Sequence, residues 1–395
     1  MKLGRSFLMG GRFHITLLSF TFLMVFAVLF HYNGVKYVND SHRYIEYAES
    51  LKNGFYIEAH NIWYFGYVIF IYLINIFAGK SQYLIIVMAQ YLLCYFALIL
   101  LYKSVVLLFK NRLSGLLAGF LFIAQIEIIS WSSYLLCESL YISMICFSLW
   151  AGISWFQGKR SWRMLLLMLF LFLFTFISKP TGIALLVGIG ALLVREFWRR
   201  LNNRWIKAIC LAASLISLLL LVNLMLSTFT LMRDYQSGEI IFAINTVPYQ
   251  PSFKYLIVEV PQHLNILSDH YPPLVRLVHF IASNFNYWIK ISSIKVFYFI
   301  LHIRPYWSLW HNLYSLILLL PLYLFCIKAL FNKLLPVEVR LFSITYIVIH
   351  TLTVGMTTVD WDGRFLMPVL PVIFILSSYQ IIVQLQGRCS WLNYQ

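Results

Sequence analysis

The chain has 395 residues, 61% hydrophobic and only 11% charged, with a formal net charge of +16 at pH 7. Apolar runs near the roughly 20 residues a bilayer span requires recur from end to end, which excludes a string of soluble domains. The runs are continuous rather than alternating with period two, which excludes a β-barrel, and the basic residues flank apolar runs without any nucleic-acid-binding motif, so no nucleic-acid partner is expected.

The expectation is an all-α, polytopic membrane protein in a single membrane domain over 1–395, with about ten transmembrane helices plus extracytoplasmic juxtamembrane helices. His14 to His31 has no small-residue cleavage site and more spans follow it, so it reads as a retained anchor over about 13–31. Lys2, Arg5 and Arg12 place the N-terminus inside. The first outer loop covers 32–82. In it Asn39-Asp40-Ser41 opens an amphipathic helix with Tyr44, Tyr47, Ala48 and Leu51 on one face, ended by Gly54.

Ile62 to Gly79 is apolar, aromatic and just long enough to cross. If it crosses, three basic clusters fall outside: Lys103, Lys110 and Arg112; Lys159, Arg160 and Arg163; Arg195, Arg199, Arg200, Arg204 and Lys207. If it lies along the outer interface, all three fall inside, as the positive-inside tendency demands. It therefore reads as a second juxtamembrane helix. Further spans are expected at 83–102, 114–130, 134–156, 164–178, 181–194 and 206–226, and then at 313–330, 340–357 and 365–384, with the C-terminus inside.

Ser178-Lys179-Pro180-Thr181-Gly182 marks an outer turn. The segment 227–312 is a long outer loop. Within it, Phe280 to His302 carries Ser283, Asn286, Lys290 and Ser293 on one face and reads as an interfacial amphipathic helix; were it to span, every later helix would invert. The cysteines at 94, 137, 146, 210, 326 and 389 all avoid the outer loops, so no structural disulfide is expected. No CxxC, His-rich metal spacing, internal repeat or nucleotide-binding glycine motif appears.

On this topology most carboxylates face outward, among them Asp40, Asp234, Glu239, Asp360 and Asp362, with Glu127 and Glu138 near the outer ends of their helices. Lys179, Arg304 and Arg364 lie on the same face, with His302 and His311 nearby. Carboxylates beside cations suit transfer from an anionic donor: the carboxylate takes a proton from a hydroxyl and the cations hold a phosphate leaving group. Each residue also has a plain structural role open to it. Asp40 is a natural helix cap, Lys179 a snorkelling side chain, and Arg364 a partner for Asp360 or Asp362. Glu138, an acid in an apolar helix, is the more pointed candidate. Asp360-Trp361-Asp362 has DxD spacing without a further ligand, so no metal site is assigned, no cofactor is named and metal dependence stays open. Tyr306 and Trp307 could stack on a sugar or anchor at the interface.

In their order, four stretches resemble the GT-C superfamily of lipid-phosphosugar-dependent glycosyltransferases, most closely its protein O-mannosyltransferase and aminoarabinose-transferase branch. They are Asn39-Asp40-Ser41 with Tyr44, Ala48, Leu51 and Gly54; Ile62 to Gly79 with Lys80-Ser81; Cys137-Glu138-Ser139-Leu140-Tyr141; and the pair Ser178 to Gly182 and Asp362-Gly363-Arg364-Phe365-Leu366-Met367-Pro368. The likeness covers about 35–385. It implies an enzyme of a bacterial cell membrane that moves one sugar from a polyprenyl-phosphate donor to a hydroxyl on a protein, lipid or glycan acceptor, outside the cytoplasm, by a single inverting displacement. By the resemblance Asp40 is the base, and Lys179, Arg304 and Arg364 hold the donor phosphate. From the residues alone, Glu138 is a second catalytic candidate and Tyr44, Tyr306, Trp307 and His311 are candidate sugar or acceptor contacts; membrane lipid is the remaining partner. The chain departs from the family at Asn61 to Gly66, where a proline is often found, and it lacks a large C-terminal soluble domain. Two other readings stand beside this one. A glycan polymerase or ligase using a diphosphate-linked glycan would rest on Arg304, His302 and His311. A lipid or solute transporter would show inverted repeats and broken mid-membrane helices.

Overall fold

The computed structural model describes residues 10–78, 82–158, 161–229 and 231–388. Lys2, Arg5, Lys80-Ser81, Lys159, Arg160, Cys389 and the expected inside position of the C-terminus lie outside the described residues. The protein is an all-α, integral multi-pass membrane protein. Nine described helices are long and apolar enough to cross a bilayer, or ten if one bent pair counts as a span. Extended pairing among the described residues is limited to isolated bridges, Lys36 with Tyr134, Glu239 with Ile257 and Ile241 with Val359.

In chain order the helices are α1 (Gly11–Asn33), α2 (Asn39–Ser50), α3 (Phe65–Ala78, entered through a 3-10 turn at His60–Tyr64), α4 (Gln82–Phe109), α5 (Arg112–Ala124), α6 (Ile126–Ser130), α7 (Cys137–Gln157) and α8 (Trp162–Phe176). Then come α9 (Ile183–Arg200), α10 (Arg204–Leu226), α11 (Leu231–Ser237), α12 (Pro273–Ser283), α13 (Phe285–Leu301), α14 (Leu309–Phe331), α15 (Val337–Met356) and α16 (Leu370–Arg388). The chain divides into two compact units: Met1–Gly182 with Pro321–Leu335 and Met367–Gln395, and Ile183–Leu320 with Pro336–Leu366.

In the first unit α4 packs on α5 and α7, α7 on α8, and α16 on α5. The centre is α7, buried on most sides. Its serines make this possible, because small side chains admit close neighbours and their hydroxyls find partners nearby. Ser143 Oγ donates to Ser139 O at 2.8 Å, and Ser148 Oγ lies 3.0 Å from Thr175 Oγ1. In the second unit α9 packs on α15 and α13 on α15. Gly188 meets Phe342 there, and Gly355 meets Val296, where a Cβ would lie 2.8 Å from a Val296 methyl. The opposite case is α10, whose one buried residue is Met225, as befits an apolar helix that faces lipid.

Four elements differ from the sequence expectation. The 114–130 span is broken at Gln125, where the chain turns by 65° between Arg112–Ala124 and Ile126–Ser133. Gln125 leaves helical geometry at ψ 75°, and its buried amide Nε2 reaches Met367 Sδ at 3.8 Å. The 164–178 span is the 15-residue α8, about 22 Å long at about 1.5 Å per residue and so short of a full crossing. It stops because Pro180 lies just beyond. The 365–384 span begins only at Leu370, where Pro371 falls in the first turn and needs no hydrogen-bond partner for its nitrogen. The loop at 227–312 holds α11, α12 and α13. In α13 the expected polar face, Asn286, Lys290 and Ser293, is the exposed one, and Tyr287, Ile291, Lys295 and Tyr298 are buried. The segment His60–Phe77 qualifies as a span by length and composition, so its place at the interface rests on charge alone.

Candidate functional site

In the first unit, three of the expected site residues, Tyr44, Glu138 and Lys179, belong to one connected polar chain that begins at Arg43. Asp40 lies one turn before it, half-buried in the first turn of α2. Asp40 is not the cap of that helix. The N-cap is Val38, and Ser41 closes the end: its Oγ accepts from Val38 N at 3.0 Å. Arg43 follows one turn later, a residue the sequence reading passed over. Its guanidinium lies over the rings of Tyr44 and Tyr64, 4.7 Å from each centroid, and Nη2 donates to Tyr44 Oη at 2.8 Å. Burial acts to lower the Arg43 pKa, but Tyr44, Tyr64 and the Asp40 carboxylate more than reverse this, so the group stays charged.

Tyr44 is buried, and burial pushes its phenol well above the usual value. Tyr44 Oη lies 3.9 Å from Cys137 Sγ, and the Cys137 thiol points 3.7 Å to Glu138 Oε2. Glu138 Oε1 accepts from Lys179 Nζ at 2.9 Å. Both members of this pair are only 3% exposed, so each neutralises a charge that neither could carry alone in the interior. Glu138 lies in the first turn of α7, where the unpaired N–H groups favour a carboxylate. The Lys179 turn is held by α3: Gly66 N donates to Ile177 O at 2.8 Å, and a Cβ on Gly66 would overlap Ser178 Oγ. Gly66 is thus the residue that lets α3 and the basic turn touch. Glu127 is half-buried in α6.

The second unit gathers the remaining expected residues around Arg304. Arg304 is 1% exposed and committed to the backbone. Nη1 donates to Tyr298 O and Ile303 O at 2.9 and 2.8 Å, Nε and Nη2 donate to Asp360 O at 3.3 and 2.9 Å, and Asp360 Oδ1 lies 3.9 Å from Nη2. These bonds turn four of its five N–H donors to carbonyls. Asp360, first residue of the DxD triplet, accepts from Arg364 N at 2.5 Å and Phe365 N at 3.4 Å, whereas Asp362 is exposed. Arg364 is half-buried. Trp307 stacks on His311 with centroids 4.2 Å apart and planes 8° apart, and His302 meets Trp307 edge-on. Gly363, at φ 73°, leaves room for the His302 ring, which a Cβ would strike. Tyr306 Oη donates to Trp361 O at 2.7 Å.

A further buried group had no signal beyond an acid in a loop and a lysine on an amphipathic helix. Burial raises the Asp234 pKa to about 6 against the opposing pull of Lys295, and burial lowers Lys295 to about 8. Lys295 Nζ donates to Thr357 O at 2.5 Å and lies over the Tyr235 ring. Glu239 accepts from Ala243 N and Asn245 N and so holds its own turn. Among the described residues, Cys94, Cys137, Cys146, Cys210 and Cys326 are in no disulfide. Set against models of known protein families, curated proteins and solved structures, the chain matches none.

Proposed function

We propose that this chain is a membrane glycosyltransferase of the GT-C kind, moving one sugar from a polyprenyl-phosphate carrier to an acceptor hydroxyl on the extracytoplasmic face. The supporting observation is the placement of Asp40. It stands in the first turn of an amphipathic helix whose end is closed by another residue, one turn from a charged arginine, Arg43, from which a polar chain runs to Glu138 and Lys179. In this reading the Asp40 carboxylate accepts the proton of the acceptor hydroxyl. The freed oxygen bonds to the anomeric carbon as the bond from that carbon to the phosphate oxygen breaks, which inverts the centre. The polyprenyl phosphate leaves with its negative charge beside Arg43, whose planar guanidinium suits phosphate oxygens.

Lys179 already answers Glu138, so its part is to hold the outer turn and to keep the Glu138 end of the chain charged. Arg304, turned to carbonyls, serves the second unit's own backbone. Arg364, Tyr306, Trp307 and His311 belong to the second unit and are given no part in this step. The N- and C-termini are cytoplasmic and Asp40 extracytoplasmic in a bacterial cell membrane, because the basic clusters then lie inside.

The test is transfer by purified protein supplied with radiolabelled polyprenyl-phosphate sugars and candidate acceptors. Asp40→Asn is expected to reduce transfer by about 100-fold or more, and Lys52→Gln to leave it unchanged. Normal transfer by Asp40→Asn removes the base from the mechanism, and solute flux across proteoliposomes with no product replaces the enzyme with a transporter.

A further inference from the structure

The hairpin between α9 and α10 takes no part in the proposed transfer step. Two candidate spans, Pro180–Arg200 and Arg204–Leu226, meet there across a short turn, and the turn is stiffened by Asn203 Oδ1, which accepts from Trp205 N at 2.8 Å. Five cations crowd the junction: Arg195, Arg199, Arg200, Arg204 and Lys207. The carboxylates that answer them are Glu338 of α15, which accepts from Arg195 and from Arg199, and Glu196, which accepts from Arg200. Arg204 and Lys207 rest on aromatic faces instead, Arg204 5.8 Å from the Trp205 centroid and Lys207 5.0 Å from that of Trp198. Neither cation serves its own helix, since both lie in the first turn of α10, the end at which positive charge is unfavourable.

Between these cations Phe197, Trp198, Trp205 and Ile206 are exposed, the two tryptophans by 49% and 68%. Exposed tryptophans at the end of a span mark headgroup depth, and α10 beyond them offers a bare apolar flank. Excess positive charge, indole rings and an adjoining apolar flank match the three parts of one ligand: a phosphate headgroup, its glycerol and ester region, and acyl chains. We infer that the α9–α10 hairpin is a binding site for an anionic phospholipid, with Arg204 and Lys207 on the headgroup phosphate and the acyl chains along α10.

The test uses the full-length protein in a neutral detergent, titrated with phosphatidylglycerol or phosphatidylcholine of the same chains and read by native mass spectrometry. Phosphatidylglycerol is expected to bind at least about tenfold more tightly. Arg204→Gln/Lys207→Gln is expected to abolish that preference, whereas Lys52→Gln/Lys254→Gln, the same charge loss elsewhere, preserves it. Trp205→Ala, at an exposed position, is a second variant and weakens both lipids alike. Equal binding of the two lipids by the unaltered protein overturns the inference, as does an intact preference in Arg204→Gln/Lys207→Gln. Displacement of the lipid by inorganic phosphate at the same concentration also overturns it, since the site would then be one for free anions.

Discussion

Asp40 and Ser41 are neighbours with separable duties. Ser41 holds the end of α2, so Ser41→Ala is expected to cost about 1 kcal/mol of stability. Asp40→Asn is expected to change stability by less than about 0.5 kcal/mol while removing transfer; thermal unfolding of both variants checks the split. The Glu138–Lys179 pair is buried on both sides. Glu138→Gln or Lys179→Met alone leaves a charge without its partner and is expected to cost about 3–5 kcal/mol, whereas the double variant recovers most of that loss. A double-mutant cycle by thermal unfolding measures it. Asp234 supplies a pH signature. Its folded pKa, about 6, lies above the ordinary value of 3.8, so the folded state holds the extra proton between the two. Stability from this group is therefore complete below about pH 4 and is lost as the pH rises to about 6. The charged groups acting on it are Lys295, Glu239 and Arg233. Melting temperatures across pH 4–7 are expected to show Asp234→Asn gaining on the unaltered protein as the pH rises through this window.

Elements are where local pattern and packing part company. The amphipathic face of α2 is legible from Tyr44, Tyr47 and Ala48, all of which the structure buries. Helix α3 was legible as apolar, but its use of Gly66 as a docking point was not, because nothing near that glycine in sequence announces Ser178. Gly66→Val is expected to cost about 1–3 kcal/mol by overpacking and to shift the Lys179 turn; hydrogen exchange in the peptide spanning 173–182 reads the second effect. The break at Gln125 was hidden because a 13-residue and an 8-residue apolar helix together have the composition of one span. The late start of α16 was hinted at by Pro368 and Pro371, and Asp360 confirms the reason by taking the amides of Arg364 and Phe365 before the helix begins.

For the molecule as a whole, the orientation in the bilayer hangs on two helices: His60–Phe77, which is long and apolar enough to cross and is assigned to the interface on charge, and the 15-residue α8, which must carry the chain across for Arg163 and Arg200 to share a side. Labelling with a membrane-impermeant maleimide decides it. In a background without Cys210 and Cys389, His42→Cys is expected to react in intact cells and Arg200→Cys only after permeabilisation. Were His60–Phe77 to span, both would react from the same side.

Membrane class, the places of most spans and the basic hairpin at 195–207 follow from composition and order along the chain, because the cost of placing backbone and charge in hydrocarbon is assessed segment by segment. The partners of individual polar groups do not follow from order. Glu138 finds Lys179 across 41 positions, and Arg304 finds the Asp360 carbonyl across 56. Before folding, Lys179, Arg304 and Arg364 were equivalent cations beside a lipid surface. Packing gave the first a carboxylate and the second a ring of carbonyls, because a charge removed from water must be answered by whatever the surrounding helices bring within hydrogen-bonding reach.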